Sequence, residues 1–122
     1  MKHILLVDDV STNLKCIELI LRDKYKVTMA KSGARALECL NAMIPDLVLL
    51  DICMKDMDGY EVIERMKDNP KTADIPVIFL TADSGQSSEE KGLALGAADF
   101  IRKPFEPQDL LDRIDVIWEM EE

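Results

Sequence analysis

Short apolar runs alternate along the chain with longer segments in which apolar residues recur every three or four positions. The first pattern is typical of buried β-strands and the second of amphipathic helices. The strand-like runs are Ile4 to Val7, Val27 to Ala30, Leu47 to Leu50, Val77 to Leu80 and Ala98 to Ile101. Because a helix-like segment follows each run, the pattern predicts five consecutive strand–helix units and an α/β fold.

Four of the predicted helices have a clear apolar face, and several residues mark where helices begin and end. The faces are Leu14, Ile17 and Leu21; Leu37, Leu40 and Ile44; Tyr60, Ile63 and Met66; and Leu110, Ile114 and Ile117. Capping-box pairs and a proline predict starts, and an Asn-Pro pair and a glycine predict ends. These signals are Asp58 with Glu61, Ser87 with Glu90, Pro107, Asn69-Pro70 and Gly96.

Strands that alternate with helices predict a doubly wound parallel sheet with helices on both faces. The first, third and fourth strands are continuous apolar runs, which is typical of central strands. The second strand alternates in polarity, and the fifth is short and polar at both ends, at Asp99 and Arg102. The strand order 2-1-3-4-5 places these two strands at the edges, although other orders would do so too.

Length and charge narrow the class of protein. The chain has 122 residues, which fits one domain over residues 1–122 and leaves no room for a second. It has 15 Lys and Arg against 24 Asp and Glu, a net charge of -9. This charge argues against direct nucleic-acid binding, because phosphate contacts need clustered basic side chains, and it favours a basic partner or a cation. The apolar runs are far shorter than the ~20 residues of a membrane span, and no signal peptide opens the chain.

The cysteines argue against structural cross-links. The chain has three cysteines, an odd number without C-x-x-C spacing, at Cys16, Cys39 and Cys53. Its single histidine is His3. A disulfide framework and a Cys/His zinc site are therefore both disfavoured. Free thiols make the cytoplasm the expected compartment.

Polar residues follow four of the predicted strands at the point where each ends. Asp8 and Asp9 follow the first strand, Asp51 the third and Thr81 the fourth, and Lys103 lies just past the fifth. In open parallel sheets ligands bind beyond the carboxyl ends of the strands. We therefore expect these side chains to converge on one pocket.

The expected pocket holds more negative charge than its lysine offsets. Carboxylates about 4 Å apart repel by several kcal/mol per pair at an effective dielectric near 20. A divalent cation would relieve this repulsion. Oxygen ligands select a hard ion, and a site with few protein ligands suits Mg²⁺ better than Ca²⁺.

Each of these residues also has an ordinary structural explanation. Asp8 or Asp9 alone is equally well explained as a cap of the first helix. Asp51 alone would satisfy loop amides, Thr81 would cap the fourth helix, and Lys103 would be a solvated charge. Only their joint occurrence at the strand ends favours a functional site.

From Lys2 to Trp118 the sequence resembles the receiver domain of two-component response regulators. The matching motifs are Leu6-Val7-Asp8-Asp9, the Asp-Leu-Val-Leu-Leu-Asp run ending at Asp51, Met57-Asp58-Gly59, Thr81-Ala82 and Lys103-Pro104-Phe105. Each motif is weak alone, but together in this order they are highly specific. The resemblance implies a flavodoxin-like (βα)5 receiver fold with strand order 2-1-3-4-5.

The resemblance also implies a phosphoacceptor chemistry. Asp51 would attack the phosphohistidine of a sensor histidine kinase or phosphotransfer protein, or a small phosphodonor, and become an aspartyl-phosphate. Asp9, Asp51 and the backbone carbonyl of Cys53 would bind Mg²⁺ directly, and Asp8 would act mainly through a bound water. The chain would modify itself rather than turn over a substrate, so it would not be an enzyme in the usual sense.

By the same resemblance, Lys103 and the Thr81 hydroxyl would stabilise the charge of the transferring phosphoryl group. Relatives commonly have a cis bond at the position of Lys103-Pro104.

The resemblance further implies a switch. The Thr81 hydroxyl would move toward the phosphoryl group, and Phe100 would then rotate inward. An ordinary core ring is the alternative for Phe100. The fourth helix is the least apolar and contains Gly92, so we expect it to be weakly anchored. Phosphorylation would change the face formed by the fourth helix, fifth strand and fifth helix, and with it the affinity for a downstream target, an output domain or a second copy.

Three positions depart from the family pattern or vary within it. Lys55 stands where many relatives have proline, and Cys53 and Asp83 occupy positions that tune the loss of the phosphoryl group. A receiver-fold adaptor that works without phosphate is the main alternative function. A flavin protein is disfavoured because Asp8 and Asp9 would repel its phosphate, and an Asp-x-Asp hydrolase because these two acids are adjacent.

Overall fold

The computed structural model describes residues 1–82 and 86–121. The strands are β1 (His3–Val7), β2 (Lys26–Ala30), β3 (Leu47–Leu50), β4 (Val77–Thr81) and β5 (Asp99–Arg102). The helices are α1 (Ser11–Leu21), α2 (Gly33–Ala42), α3 (Gly59–Asp68), α4 (Gln86–Ala94) and α5 (Pro107–Glu121). A helix follows each strand, so the predicted succession of strand–helix units is confirmed.

All five strands are parallel and lie in the order β2-β1-β3-β4-β5, as predicted. The alternating strand β2 and the short strand β5 are the edges. Strand β5 begins at Asp99, paired with Ile78, one residue later than the apolar pattern indicated.

The central strands are buried on both faces. In β3, Val48 and Leu50 pack into the apolar cluster beneath α2 and α3, whereas Leu47 and Leu49 pack into the cluster beneath α1 and α5. All four are 0% exposed. Burying one such side chain stabilises the fold by about 1.5–3 kcal/mol, so a continuous apolar run suits this double-sided position. The sheet is thereby a rigid base whose carboxyl edge carries the polar residues.

The predicted helix starts at α3 and α5 are confirmed, and the one at α4 is wrong. Asp58 is the N-cap of α3, where its Oδ1 accepts a hydrogen bond of 2.9 Å from the Glu61 amide. Helix α5 begins at Pro107. Helix α4 begins at Gln86, so Ser87 is already helical and does not have the extended backbone that an N-cap requires.

The predicted apolar face of α2 is wrong at Ile44. The helix ends at Ala42, Met43 is extended, and Ile44 is 56% exposed. The physical reason is Pro45, because a residue before proline avoids the helical conformation. Among the described residues, no helix combines the length and apolar character that a membrane span needs.

Candidate functional site

The candidate site is built on the backbone ladder at the carboxyl edge of the sheet. Pairing continues one residue past the strands: the Asp8 amide donates to the Ala30 carbonyl at 3.2 Å, and the Asp51 amide donates to the Val7 carbonyl at 3.0 Å. Likewise the Lys103 amide donates to the Thr81 carbonyl at 2.8 Å. The strand ends therefore fix the side chains that follow them.

Three carboxylates meet at this edge. One oxygen of each of Asp8, Asp9 and Asp51 lies within 4.8 Å of the others. Asp8 is 1% exposed and Asp51 is 7% exposed, so two of the three charges have little contact with water. Like charges held this close in a partly dry site repel strongly, which makes the cluster a good ligand set for a hard cation.

Asp8 is the most heavily bonded of the three carboxylates. Its Oδ1 accepts from the Val10 amide at 2.9 Å, and its Oδ2 accepts from Asn13 Nδ2 at 3.3 Å and Lys103 Nζ at 2.9 Å. The N-cap of α1 is Val10, which has no side-chain cap, so neither Asp8 nor Asp9 caps the helix. The Lys103 side chain is 18% exposed, and its peptide bond with Pro104 is cis.

Asp51 lies in an environment that disfavours its charged form. Burial raises the pKa of the Asp51 carboxyl, and the nearby charge of Asp8 raises it further. Lys103, the Cys53 amide at 3.4 Å and the Thr81 hydroxyl all lower this pKa, but burial prevails. A cation in the cluster would favour the ionised form, which is the nucleophilic one.

Thr81 and Phe100 lie on neighbouring strands behind the carboxylates. Thr81 is fully buried and hydrogen-bonds Asp51, and α4 begins five residues later, so Thr81 is not its cap. Phe100 is 5% exposed, and its ring centroid is 6.2 Å from that of Phe79. Phe100 thus already faces the core in this structure. Asp83 lies outside the described residues.

Sequence reasoning missed three features of the site. Asn13 bonds Asp8, and the Lys55 amide donates to Asp9 Oδ2 at 3.2 Å. At Gly59, a Cβ atom would lie 2.4 Å from the Asp51 carbonyl oxygen, so only glycine fits there. The Asp58-Gly59 pair was the available signal for the last feature, whereas a backbone donor such as the Lys55 amide has no residue-type signal.

The fold and the acidic edge together define a class of protein. The response regulator receiver domain family matches residues 4–115, and this chain belongs to that family. Receiver domains of this kind act in two-component signalling.

Individual relatives agree with this assignment. The chain is 48% identical over 101 residues to a probable cyclic di-GMP phosphodiesterase of Vibrio cholerae, covering 83% of this chain and 23% of that protein. It is 39% identical over 113 residues to the response regulator PleD of Caulobacter vibrioides, covering 92% and 25% respectively. The chain therefore spans about a quarter of the length of these relatives.

Solved structures show the same fold. The crystal structure of a putative response regulator from Chloroflexus aurantiacus matches with a TM-score of 0.90 and 37% identity. The match covers 95% of this chain and 96% of that one.

Proposed function

We propose that this chain is a phosphoacceptor receiver, in which Asp51 takes a phosphoryl group from the phosphohistidine of a sensor histidine kinase or phosphotransfer protein. The observation that carries the proposal is the convergence of Asp8, Asp9 and Asp51 within 4.8 Å, beside the Lys103 ammonium. A nucleophilic carboxylate, a cation-binding cluster and a fixed positive charge are the parts that phosphoryl transfer requires.

The cluster fits Mg²⁺ by its donor chemistry. Asp9, Asp51 and the Cys53 carbonyl would hold the ion directly, and Asp8 mainly through water. All of these donors are hard oxygen atoms, and the Cys53 thiol plays no part. When bound, Mg²⁺ would neutralise charge on the phosphoryl oxygens as they pass to the carboxylate.

Every bond that forms or breaks in the transfer belongs to this chain or to the phosphodonor. A carboxylate oxygen of Asp51 attacks the phosphorus atom while the phosphorus–nitrogen bond of the phosphohistidine breaks, and the electron pair leaves with the imidazole. Lys103 supplies positive charge at the phosphoryl oxygens, and the Thr81 hydroxyl donates a hydrogen bond to one of them. The chain is itself the acceptor of the phosphoryl group and does not turn over a separate substrate, so it is not an enzyme acting on an external substrate.

The phosphoryl group then changes a surface. The Thr81 hydroxyl bonds the new oxygens, the ring of Phe100, which already faces the core, moves further into the space behind it, and the face formed by α4, β5 and α5 shifts between two pre-existing arrangements. The readout is altered affinity for a downstream protein, an output domain or a second copy of the chain. The three free cysteines fit the reducing cytoplasm, and residues 1–122 act as one domain.

The decisive experiment is intact mass after incubation with acetyl phosphate and Mg²⁺, with and without chelator. We expect the wild type to gain one phosphoryl group only when Mg²⁺ is free, and Asp51→Asn to gain none. Asp56→Asn is the matched control, because Asp56 is an exposed carboxylate in the same loop whose Oδ1 accepts from the Met57 amide. No gain by a folded wild type that binds Mg²⁺ would instead favour the phosphate-independent adaptor.

A further inference from the structure

A groove of about 550 Å³ lies between helix α1 and the edge strand β2. Leu14 and Met29 form its apolar base, and Met29 is 49% exposed. Lys15 and Lys31 also line the groove, and both side chains are exposed. The carboxylates of the proposed phosphoacceptor site do not line it. The groove is therefore a separate surface, apolar at its base and basic at its rim.

The lysines along this edge are not neutralised by the chain itself. Among residues 1–82 and 86–121, none of Lys15, Lys26 and Lys31 forms an ion pair. The other two charged residues that line the groove, Arg22 and Glu18, pair with each other. The lysine charges therefore give the groove a net positive charge.

The opposite edge of the sheet differs in this respect. Strand β5 begins at Asp99, which pairs with Arg113 of α5 at 2.8 Å. It ends at Arg102, which pairs with Glu89 of α4 at 2.8 Å. The helices beside β5 thus supply partners for the charges of that edge, whereas the described residues around β2 leave its lysines to solvent or to another molecule.

Strand β2 also offers backbone groups to a partner. The Lys26 amide donates to the Lys2 carbonyl at 3.0 Å, and the Ala30 carbonyl accepts from the Asp8 amide at 3.2 Å. These residues therefore direct their backbone groups toward β1. Because alternate residues of an edge strand face opposite sides, Val27 and Met29 direct theirs outward. An edge of this kind can accept an extended peptide as an added strand.

We propose that the β2 edge binds an extended acidic segment of a partner protein as an added strand. The backbone of the segment pairs with Val27 and Met29. Its apolar side chains lie over Met29 in the groove, and its alternate, acidic side chains lie on the opposite face of the sheet, where Lys26 is exposed.

Charge complementarity selects this occupant. Residues 1–35 hold 7 basic and 4 acidic residues, a net charge of +3 in a chain whose net charge is -9. An acidic segment is attracted to this region, and a basic one is repelled. A second copy of β2 is disfavoured, because it would bring a second set of lysines to the same edge.

The first test uses a labelled peptide with alternating glutamate and valine, acetyl-Glu-Val-Glu-Val-Glu-Val-Glu-amide. Its control has lysine in place of each glutamate. We expect the protein to bind the acidic peptide at least about tenfold more tightly than the basic one, measured by fluorescence anisotropy. Amide chemical shifts should change in β2 and α1. Equal binding of the two peptides, or shift changes elsewhere, would overturn the proposal.

A matched pair of variants tests the position of the site. Lys31→Glu reverses a charge at the groove, and Lys71→Glu makes the same change at an exposed lysine that does not line it. We expect Lys31→Glu to weaken binding of the acidic peptide about threefold or more and Lys71→Glu to leave it within experimental error. Circular dichroism checks that both variants are folded. An equal loss in both variants would show that net charge alone attracts the peptide.

The backbone contacts are tested with two N-methylated forms of the acidic peptide, one for each alternating set of its amides. Methylation of the set that faces β2 should abolish binding, and methylation of the other set should preserve it. Equal binding of both forms would contradict strand addition. Sedimentation of the protein alone gives the last outcome: a dimer that Met29→Asp dissociates would assign the edge to a second copy instead. None of these measurements needs Mg²⁺ or a phosphodonor, so their failure is distinct from failure of the proposed function.

Discussion

Helices α3 and α4 cover the same face of the sheet but are held in different ways. Helix α3 buries Val62, Ile63 and Met66 in the apolar cluster and begins at the Asp58 cap. In α4, by contrast, Gly92 is the only buried residue among residues 87–94. Leu93, the residue after it, is 43% exposed. Helix α3 is therefore anchored by apolar burial, and α4 is not.

Polar contacts at its surface hold α4 instead. The Tyr60 hydroxyl donates to the Ser88 carbonyl at 3.1 Å, and Glu89 pairs with Arg102 at 2.8 Å. Lys91 Nζ lies 4.4 Å from the centre of the Tyr60 ring. Contacts of this kind contribute about 1 kcal/mol or less each at exposed sites. The difference suits the proposed function, because a fixed α3 supports the loop of Asp51 while a weakly held α4 can change position.

The largest expected effect tests whether apolar burial anchors α3 but not α4. Ile63→Ala in α3 should lower the free energy of unfolding by about 2–5 kcal/mol, because Ile63 is 0% exposed and its loss leaves a cavity. Leu93→Ala in α4 should change it by less than about 0.5 kcal/mol. Urea unfolding of both variants measures the two values. Equal losses would show that α4 is anchored by apolar burial after all.

The next largest loss of stability is expected when a glycine of either helix is replaced by alanine. Gly59→Ala should cost about 3 kcal/mol, since the new methyl would lie 2.4 Å from the Asp51 carbonyl oxygen and must displace backbone. At Gly92 the nearest atom is the ring edge of Phe79 at 2.9 Å, and the helix gains about 1 kcal/mol in propensity. Gly92→Ala should therefore cost at most about 1 kcal/mol. A reversed order in thermal or urea unfolding would contradict the distinction.

A third, smaller effect concerns the start of α3. Asp58→Ala removes the hydrogen bond to the Glu61 amide and should cost about 1 kcal/mol. Asp68→Ala is the matched control, because it removes the same carboxylate from the last turn of the helix, where a negative charge is unfavourable. The control should be neutral or slightly stabilising in urea unfolding. A loss at both positions would mean that net charge, rather than capping, decides the stability of α3.

Much of the fold was predictable because burial and sequence pattern are closely linked in a parallel sheet. The runs Leu47 to Leu50 and Val77 to Leu80 predicted central strands, and the positions after the strands predicted which acids would meet. The error at Ile44 arose because apolar spacing continued past the point where Pro45 ends the helix. A local backbone constraint there overrode the periodic pattern.

The details of the site were less predictable, since backbone atoms supply much of it. The hydrogen bond from Lys55 to Asp9 depends on the path of a loop, and any residue with an N–H would make it. The Ser87 signal failed because a capping pair within a helix has the same spacing as one at its start. In contrast, Asp58 with Gly59 combined a cap with a residue that tolerates close approach, and that helix start was predicted.

The smallest effect on global stability tests the contacts that hold α4. Tyr60→Phe removes the hydroxyl that bonds the Ser88 carbonyl and leaves the ring, whose centroid is 5.8 Å from that of Phe79. We expect a global loss of only about 0.5 kcal/mol. The amides of α4 should nevertheless exchange with solvent hydrogen about two- to threefold faster, because local opening of the helix no longer breaks that bond.

Tyr25→Phe is the matched control for this prediction. It also removes one hydroxyl, which accepts from Trp118 Nε1 at 3.1 Å at the opposite end of the sheet. Exchange in α4 should be unchanged in this variant, whereas the amides of α5 near Trp118 should be affected. If Tyr60→Phe leaves α4 exchange as slow as in the wild type, the hydrogen bond from Tyr60 to the Ser88 carbonyl does not hold that helix in place. Of the three contacts described above, the Glu89–Arg102 pair and the contact of Lys91 with the Tyr60 ring would then be the ones left to hold α4.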